Sequence, residues 1–463
     1  MSLNPTLFRD YDIRGVYNET LFDDDAYKIG AGFGLILKDK TGHEAPTISV
    51  CYDGRLSSPA LKNKLINGLL SQGIHVIELG LATSPLSYFS SYHLDVDATI
   101  IVTGSHSPKN YNGFKFTINH EPFFSDDIQN LKTIIETHKF ETTTLGTHLE
   151  QDIKQDYITD LISRFHTLNP DLKIAWDCGN GSVGALINQF TSQLVGEHFV
   201  LFDAVDGNFP NHHPDPTIEE NLKDLKNTVL NKECDIGFAF DGDGDRIGVL
   251  DDQGDPLWCD DLITLLAYGI LKDNQGAKIV ADIKCSSALF DCVNAWCGQG
   301  IIWKSGHSNV RYKMNETGAL LGGELSGHIF FKDKFKGYDD ALYCALRLIE
   351  LLSKTGKPLS ELRKIIPSRI ITPEYRIKVD ETQKFKLIEQ ITDTIKTLNG
   401  WEYLEIDGVR AYNEKGWFLV RASNTENKIS LRIEATSTNN LEEIKSLIHD
   451  IAKKTGIPLL QEI

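Results

Sequence analysis

Three carboxylates alternate with glycine in Asp241-Gly242-Asp243-Gly244-Asp245, and Arg246 follows directly. In an extended loop, this spacing lets Asp241, Asp243 and Asp245 converge on one hard cation such as Mg2+, which prefers oxygen ligands and keeps positions for a phosphate oxygen. Arg246 adds a fixed donor for an anion beside that metal. An EF-hand calcium loop also alternates acidic positions, but it needs glycine where Arg246 stands and helices where IGFAF and IGVL read as strands. A solvated acidic turn is disfavoured, since clustered carboxylates repel one another without a cation.

A second stretch runs from Thr99 to Phe116. The apolar Ile100-Ile101-Val102 stops at Thr103-Gly104-Ser105-His106-Ser107-Pro108, and an Asn112-Gly113 turn precedes a segment carrying Lys115. This pattern predicts a buried strand that delivers a hydroxyl to a loop. Gly104 leaves room for a substrate to approach the backbone, although an ordinary Ser-rich turn has the same composition. Gly322-Gly323-Glu324-Leu325-Ser326-Gly327-His328 offers a carboxylate, a hydroxyl and an imidazole suited to sugar hydroxyls, and alone it reads equally as a Gly-rich turn. Arg421-Ala422-Ser423-Asn424-Thr425 lies between two predicted strands and concentrates donors that fit a phosphate monoester. Tyr11, Arg14, Lys284 and His307 are expected in similar loop positions.

Positioning these groups requires rigid strand ends, and the chain supplies one plan three times. Thr47–Arg55, Leu172–Gly184 and Ala277–Ser287 each read as a strand ending in an Asp-containing loop. A helical stretch and a second strand follow each of them, and each copy then continues to one of the Ser105, Asp241 or Glu324 loops. The repeat is too long for a solenoid unit, so three similar α/β domains with mixed sheets are expected around a shared cleft. Ligands of such sheets sit beyond the carboxyl ends of the strands. Beyond Pro367 and Pro373 the plan changes to a smaller C-terminal α+β domain. Its closing helix repeats Leu441, Ile444, Leu447, Ile448 and Ile451, with Asn440 as the expected cap. The expected domains are 1–150, 151–255, 256–368 and 369–463, with polar runs at 141–152 and 251–256 as linkers.

The 463 residues carry a net charge of -18, which argues against nucleic acid or an anionic membrane surface as partner. An anionic substrate would need locally concentrated Arg, Lys and His. No apolar run is long enough to span a bilayer, and no secretory leader is read at the N-terminus. The eight cysteines form no CxxC pair, so reduced, buried thiols in a cytoplasmic protein are expected.

Together, Phe8–Gly15 (FRDYDIRG), Thr103–Lys115 (TGSHSPKNYNGFK), DGDGDR, GELSGH and RASNT resemble the signature set of the α-D-phosphohexomutase superfamily across essentially the whole chain. GELSGH is most similar to the phosphomannomutase/phosphoglucomutase branch. The resemblance implies that Ser105 is carried as a phosphoserine, its phosphate completing a Mg2+ site with Asp241, Asp243 and Asp245. It implies that Glu324 and Ser326 bind the sugar, and that Arg421, Ser423, Asn424 and Thr425 bind the phosphate that does not react. Tyr11, Arg14, Lys115, Arg246, Lys284, His307 and His328 match positions that line the cleft, and His106 adjoins the serine. Ser107 departs from the family's usual Asn.

The implied activity is reversible phosphoryl transfer between C1 and C6 of mannose and glucose phosphates through a 1,6-bisphosphate, which also serves as activator. A covalent carrier divides this transfer into two in-line steps. Lys115 and His328 are the candidate acid and base, or else fixed cationic partners of phosphate. A phosphoglucosamine mutase of the same superfamily, a metal-dependent sugar phosphatase and a sugar-phosphate sensor are the alternatives. A monomer is expected, with a dimer as the alternative.

Overall fold

The computed structural model describes residues 3–142, 145–380, 384–422 and 428–456. Ser423, Asn424 and Thr425 lie outside them. Contacts group the chain into two compact units, Met1–Leu262 with Ser326–Arg363, and Ile263–Leu325 with Lys364–Ile463.

In the first unit, strands β1 (Ile13–Val16), β2 (Thr47–Tyr52), β3 (His75–Leu81), β4 (Ala98–Val102), β5 (Tyr111–Ile118), β6 (Glu121–Pro122) and β7 (His148–Glu150) form one mixed sheet. Its order is β1-β5-β4-β2-β3-β7, with β6 on β5. The run Ala98–Val102 is wholly buried, as a central strand covered on both faces must be. Helices Asp23–Thr41, Ser58–Ser71 and Asp126–Thr137 supply much of the covering core, where Phe33 stacks on Phe116 at 4.9 Å between ring centres. The polar run expected as a linker instead adds β7 in parallel to the edge of this sheet.

A second mixed sheet holds β8 (Lys173–Asp177), β9 (Glu197–Leu201), β10 (Ile236–Phe240), β11 (Ile247–Leu250) and β12 (Pro256–Leu257) in the order β12-β11-β10-β8-β9. Residues 251–256, also expected as a linker, turn the antiparallel β11–β12 hairpin. The short strand β16 (Ile329–Phe331) and the buried helix Ala341–Thr355 complete this unit, with β13 to β15 lying earlier in the chain.

In the second unit, β13 (Lys278–Asp282), β14 (Gln299–Trp303) and β15 (Leu321–Gly323) pair in parallel, with β13 central. The C-terminal region is antiparallel. It contains β17 (Ile370–Ile371), β18 (Tyr375–Lys378), β19 (Glu402–Leu404), β20 (Val409–Asn413), β21 (Gly416–Ala422) and β22 (Lys428–Ala435). Strands β17 and β18 both pair with β22, and β21, β20 and β19 follow. Helices Lys384–Lys396 and Thr438–Thr455 press Ile391, Ile395, Ile444, Ile448 and Ile451 onto Phe418, Val420, Ile429 and Leu431. The closing helix is capped by Ser437, whose hydroxyl accepts from the Asn440 amide at 3.2 Å, and not by Asn440. The helix begins a turn earlier than the apolar stripe indicates, because the first turn faces solvent. Among the described residues, no helix is long and apolar enough to cross a membrane.

Candidate active site

In each of the three α/β repeats, the first strand ends on a buried aspartate that organises the loops above it. Asp53 accepts the Gly104 amide at 3.0 Å and the Thr103 hydroxyl at 2.8 Å. Asp177 accepts the Gly179 amide at 2.9 Å and faces the ring of His212 at 3.0 Å. Asp282 accepts the Ser305 hydroxyl at 2.8 Å. Short polar side chains at strand ends substitute in this way for the lost ladder.

Ser105 follows β4 and is buried, with a left-handed backbone at φ 47°. That conformation costs a non-glycine residue about 1–3 kcal/mol, so its surroundings must impose it. The Ser105 hydroxyl donates to Asp241 Oδ2 at 2.7 Å and lies 3.2 Å from His106 Nδ1. The loops meet backbone to backbone, since a Cβ on Gly242 would stand 2.5 Å from the Ser105 carbonyl oxygen. Any side chain at Gly242 would therefore separate the serine from the carboxylates.

Asp241, Asp243 and Asp245 are buried, and one oxygen from each lies within 4.8 Å of the others. Lys115, projecting from β5, donates to Asp243 at 2.8 Å and to Asp245 at 2.5 Å. Burial acts to lower its pKa, but these two carboxylates hold it well above the usual lysine range. Burial acts to raise Asp243, and Lys115 overrides it and holds that carboxyl well below its ordinary value. Burial, then Asp243 and Asp245, push Asp241 well up, and burial followed by Asp243 raises Asp245. One ammonium does not neutralise three carboxylates. Asp243 Oδ1 and Asp245 Oδ1 are buried acceptors with no hydrogen-bond partner. A divalent cation would satisfy those oxygens and offset the mutual repulsion of the three carboxylates, so the donor set fits a metal of the oxygen-preferring kind.

Arg246 and His328 form an isolated β-bridge, and Arg246 Nε donates to His328 Nε2 at 2.9 Å. That bond assigns the ring proton to Nδ1, which faces Asp339 Oδ2 at 2.6 Å. Arg14 lies on β1 and not in a loop, with Asp12 at 2.5 Å. It donates to the Gly104 carbonyl at 3.2 Å and to Ser107 Oγ at 2.9 Å, so Ser107 is an acceptor here. Burial, then Arg246 and Arg14, holds His106 well below the usual histidine range, which makes it a neutral ring beside the serine. Tyr11 precedes β1 and Ser326 sits in the turn before His328, both half-buried.

The other expected groups lie in the second unit. Lys284 Nζ is 3.4 Å from Asp282, which holds its pKa up against burial. Glu324 is buried and accepts the Gly306 amide at 2.5 Å, next to His307, the first residue of helix His307–Thr317. Arg421 pairs with Asp407 at 2.9 Å, and Asp407 also accepts the Ser305 amide at 3.2 Å. The Lys284 turn is docked on the C-terminal sheet, where its carbonyl accepts from Arg432 at 2.6 Å and the Ile283 carbonyl from Arg410 at 2.7 Å. Asp53, Arg55, Asp339 and Asp407 are not among the site residues expected from the sequence. Their signal was the strand-end aspartate for the first pair, while Asp339 and Asp407 stand in short turns that carry none.

Comparison with known proteins agrees across the chain. Residues 5–142, 155–254 and 258–369 match the phosphoglucomutase/phosphomannomutase alpha/beta/alpha domains I, II and III, and 374–451 match the C-terminal domain of the same series. A phosphomannomutase/phosphoglucomutase from Pseudomonas syringae pv. tomato is 41% identical over 454 residues, covering 98% of this chain and 96% of its own. A phosphoglucomutase from Neisseria gonorrhoeae is 38% identical, covering 96% of each chain. The crystal structure of a phosphoglucomutase/phosphomannomutase family protein from Burkholderia thailandensis superposes with a TM-score of 0.92 at 38% identity over 98% of both chains. Four domains in the same order, with a hydroxyl held against a carboxylate loop, place this chain in the phosphoglucomutase/phosphomannomutase family.

Proposed function

We propose that this protein reversibly moves a phosphoryl group between O1 and O6 of mannose and glucose phosphates, using Ser105 as covalent carrier and a hexose 1,6-bisphosphate as intermediate. The observation that carries this reading is the 2.7 Å contact of Ser105 Oγ with Asp241, at the end of a buried strand and beside two unsatisfied carboxylate oxygens. A phosphate on that oxygen would stand where it could complete an oxygen donor set with the three carboxylates.

Asp241, Asp243 and Asp245 would hold Mg2+, with an oxygen of the Ser105 phosphate as a further ligand. Bound there, the metal offsets charge on the transferring phosphoryl group. Arg246 and Arg14 bring two further cationic donors to the same place, and His106, kept neutral, orients the serine oxygen. In the forward half-reaction, the free sugar hydroxyl attacks phosphorus in line and the Ser105 oxygen leaves. In the second half, the Ser105 oxygen attacks the other phosphate of the bisphosphate in line, and the sugar oxygen that carried it leaves and takes up the proton. A proton must leave the attacking hydroxyl and return later. We assign it to His328, which Asp339 holds in one tautomer with Nε2 toward Arg246, and we assign Lys115 the fixed-cation role that its two carboxylate partners support.

Glu324, Ser326, Lys284 and His307 are proposed to read the sugar, and Arg421 with Ser423, Asn424 and Thr425 to take the phosphate that does not react. Trace bisphosphate would act as activator by returning phosphate to Ser105. The domains are proposed to run 1–150, 151–255, 256–368 and 369–463. Cys297 is the exposed thiol and the other seven are buried, none in a disulfide, which supports a reducing, cytoplasmic setting; a monomer is proposed. The test is incubation with mannose 1-phosphate or glucose 1-phosphate, Mg2+ and trace glucose 1,6-bisphosphate. The expected product is the 6-phosphate. Free phosphate without it would refute the mutase reading, and preference for glucosamine 1-phosphate would move the protein to the amino-sugar branch.

A further inference from the structure

Arg55 has a side chain sealed inside the first unit at 1% exposure, and no charge on a substrate can reach it. All five of its N–H groups have partners. Nε donates to Asp53 at 3.2 Å. Nη1 donates to the carbonyls of Pro108 at 2.6 Å and Tyr111 at 2.9 Å. Nη2 donates to the carbonyls of Ser105 and Ser107, each at 2.6 Å. One planar guanidinium therefore collects four carbonyl oxygens of the loop that carries Ser105. The fork geometry of arginine makes this possible, and lysine, a point charge with three donors, cannot reproduce it.

The surroundings are built to keep that guanidinium in place. Its Cζ lies 5.4 Å from the Phe209 ring centre, which covers one face. A Cβ on Gly104 would stand 2.4 Å from the same Cζ, so the loop backbone lies directly against it. Asp53 closes the arrangement by accepting Arg55 Nε, the Arg55 amide and the Gly104 amide, tying the end of β2 to the loop after β4. Burial lowers the Arg55 pKa and Asp53 opposes that shift, which leaves the cation paired. Arg55 thus holds the carbonyl of the residue whose backbone is left-handed and whose Oγ donates to Asp241.

We propose that Arg55 is a positioning residue for phosphoryl exchange, holding Ser105 Oγ at the carboxylate loop by clamping four loop carbonyls from behind. The proposal rests on the reading of Ser105 as phosphoryl carrier. It assigns Arg55 no contact with substrate, so the clamp acts on the rate of exchange and not on affinity.

The test uses the full chain as wild type, Arg55→Lys and Arg55→Ala. Thermal unfolding, kcat and KM for glucose 1-phosphate are measured, together with the intact mass of the protein after exposure to glucose 1,6-bisphosphate. In Arg55→Lys we expect kcat to fall about 100-fold, the effect of roughly 1 Å of misplacement, with KM within about threefold of wild type. Millimolar guanidinium should restore part of the rate of Arg55→Ala, and methylammonium should not. A folded Arg55→Lys with unchanged kcat overturns the proposal, as does a rise in KM at constant kcat. If Arg55→Lys does not fold, Gly104→Ala, which displaces the guanidinium without removing it, must show the same fall in kcat, and an unchanged kcat refutes the clamp. Wild-type protein that turns over without Ser105 gaining phosphate would instead refute the carrier reading, a result distinct from failure of the clamp.

Discussion

Asp340→Asn isolates a buried carboxyl directly behind the His328–Asp339 pair. Asp340 caps the helix Ala341–Thr355 by accepting the Tyr343 amide at 2.9 Å, and its other oxygen accepts the Tyr157 hydroxyl at 2.8 Å. Burial raises its pKa from 3.8 to about 7, against these hydrogen bonds. A folded value above the unfolded one means that the folded protein binds the extra proton. Stability from this group is full below the unfolded pKa and is lost as pH rises through the folded one. At pH 5 the unfolded carboxyl is ionised and the folded one is not, and by pH 8 both are ionised. Integrating between the two pKa values gives a loss of about 2–3 kcal/mol from pH 5 to pH 8, at about 1.4 kcal/mol per unit. Asparagine keeps the cap and has no proton to lose. The unfolding free energy of Asp340→Asn minus that of wild type should therefore grow by about 2–3 kcal/mol between pH 5 and pH 8, measured by urea unfolding followed by circular dichroism. A difference that stays constant across those two pH values refutes the assignment of a raised carboxyl at this position.

Three further outcomes are expected at the site itself. Ser105→Ala should abolish isomerisation and acquire no phosphate from glucose 1,6-bisphosphate by intact mass, and full retention of rate would remove the serine from the reaction. Asp243→Asn removes the carboxylate most strongly held ionised, so kcat should fall by about 100-fold or more even at saturating Mg2+, with a raised Mg2+ requirement on titration. Ser107→Asn keeps an acceptor for the Arg14 guanidinium, so its kcat should remain within about threefold of wild type, read in the coupled assay for glucose 6-phosphate.

The sequence was most legible where a local rule governs. The apolar run Ile100–Val102, the helix Ser58–Ser71 and the Asp-Gly alternation are local patterns, and each occupies the element or loop its pattern dictates. It was least legible where a residue's role depends on something far along the chain. Arg55 clamps carbonyls about fifty positions away, and nothing in its neighbours signals that. Asp339 is one of two adjacent acids, and only the tertiary fold turns it to His328 and its neighbour to Tyr157. The polar run before residue 152 reads as linker by composition, yet an edge strand needs only one partner and tolerates exposed polar side chains, so it joins the sheet.

Pairing of cations with the chain's own carboxylates bears on the tension between an acidic chain and an anionic substrate. A net charge of -18 repels phosphate at a distance, and the local cations do not offset it as a bare positive patch. Four of them sit beside a carboxylate of the chain: Lys115 with Asp243, Arg14 with Asp12, Lys284 with Asp282 and Arg421 with Asp407. These pairs are largely buried, so each cation arrives oriented and with its desolvation already offset by its partner. On the proposed assignments, a phosphate at any one of these cations would exchange for a carboxylate contact instead of simply adding to the charge. Its net gain is the difference between two charge-assisted contacts, which is smaller than either alone. Modest binding of this kind would suit the proposed bisphosphate intermediate, which has to release one end and present the other.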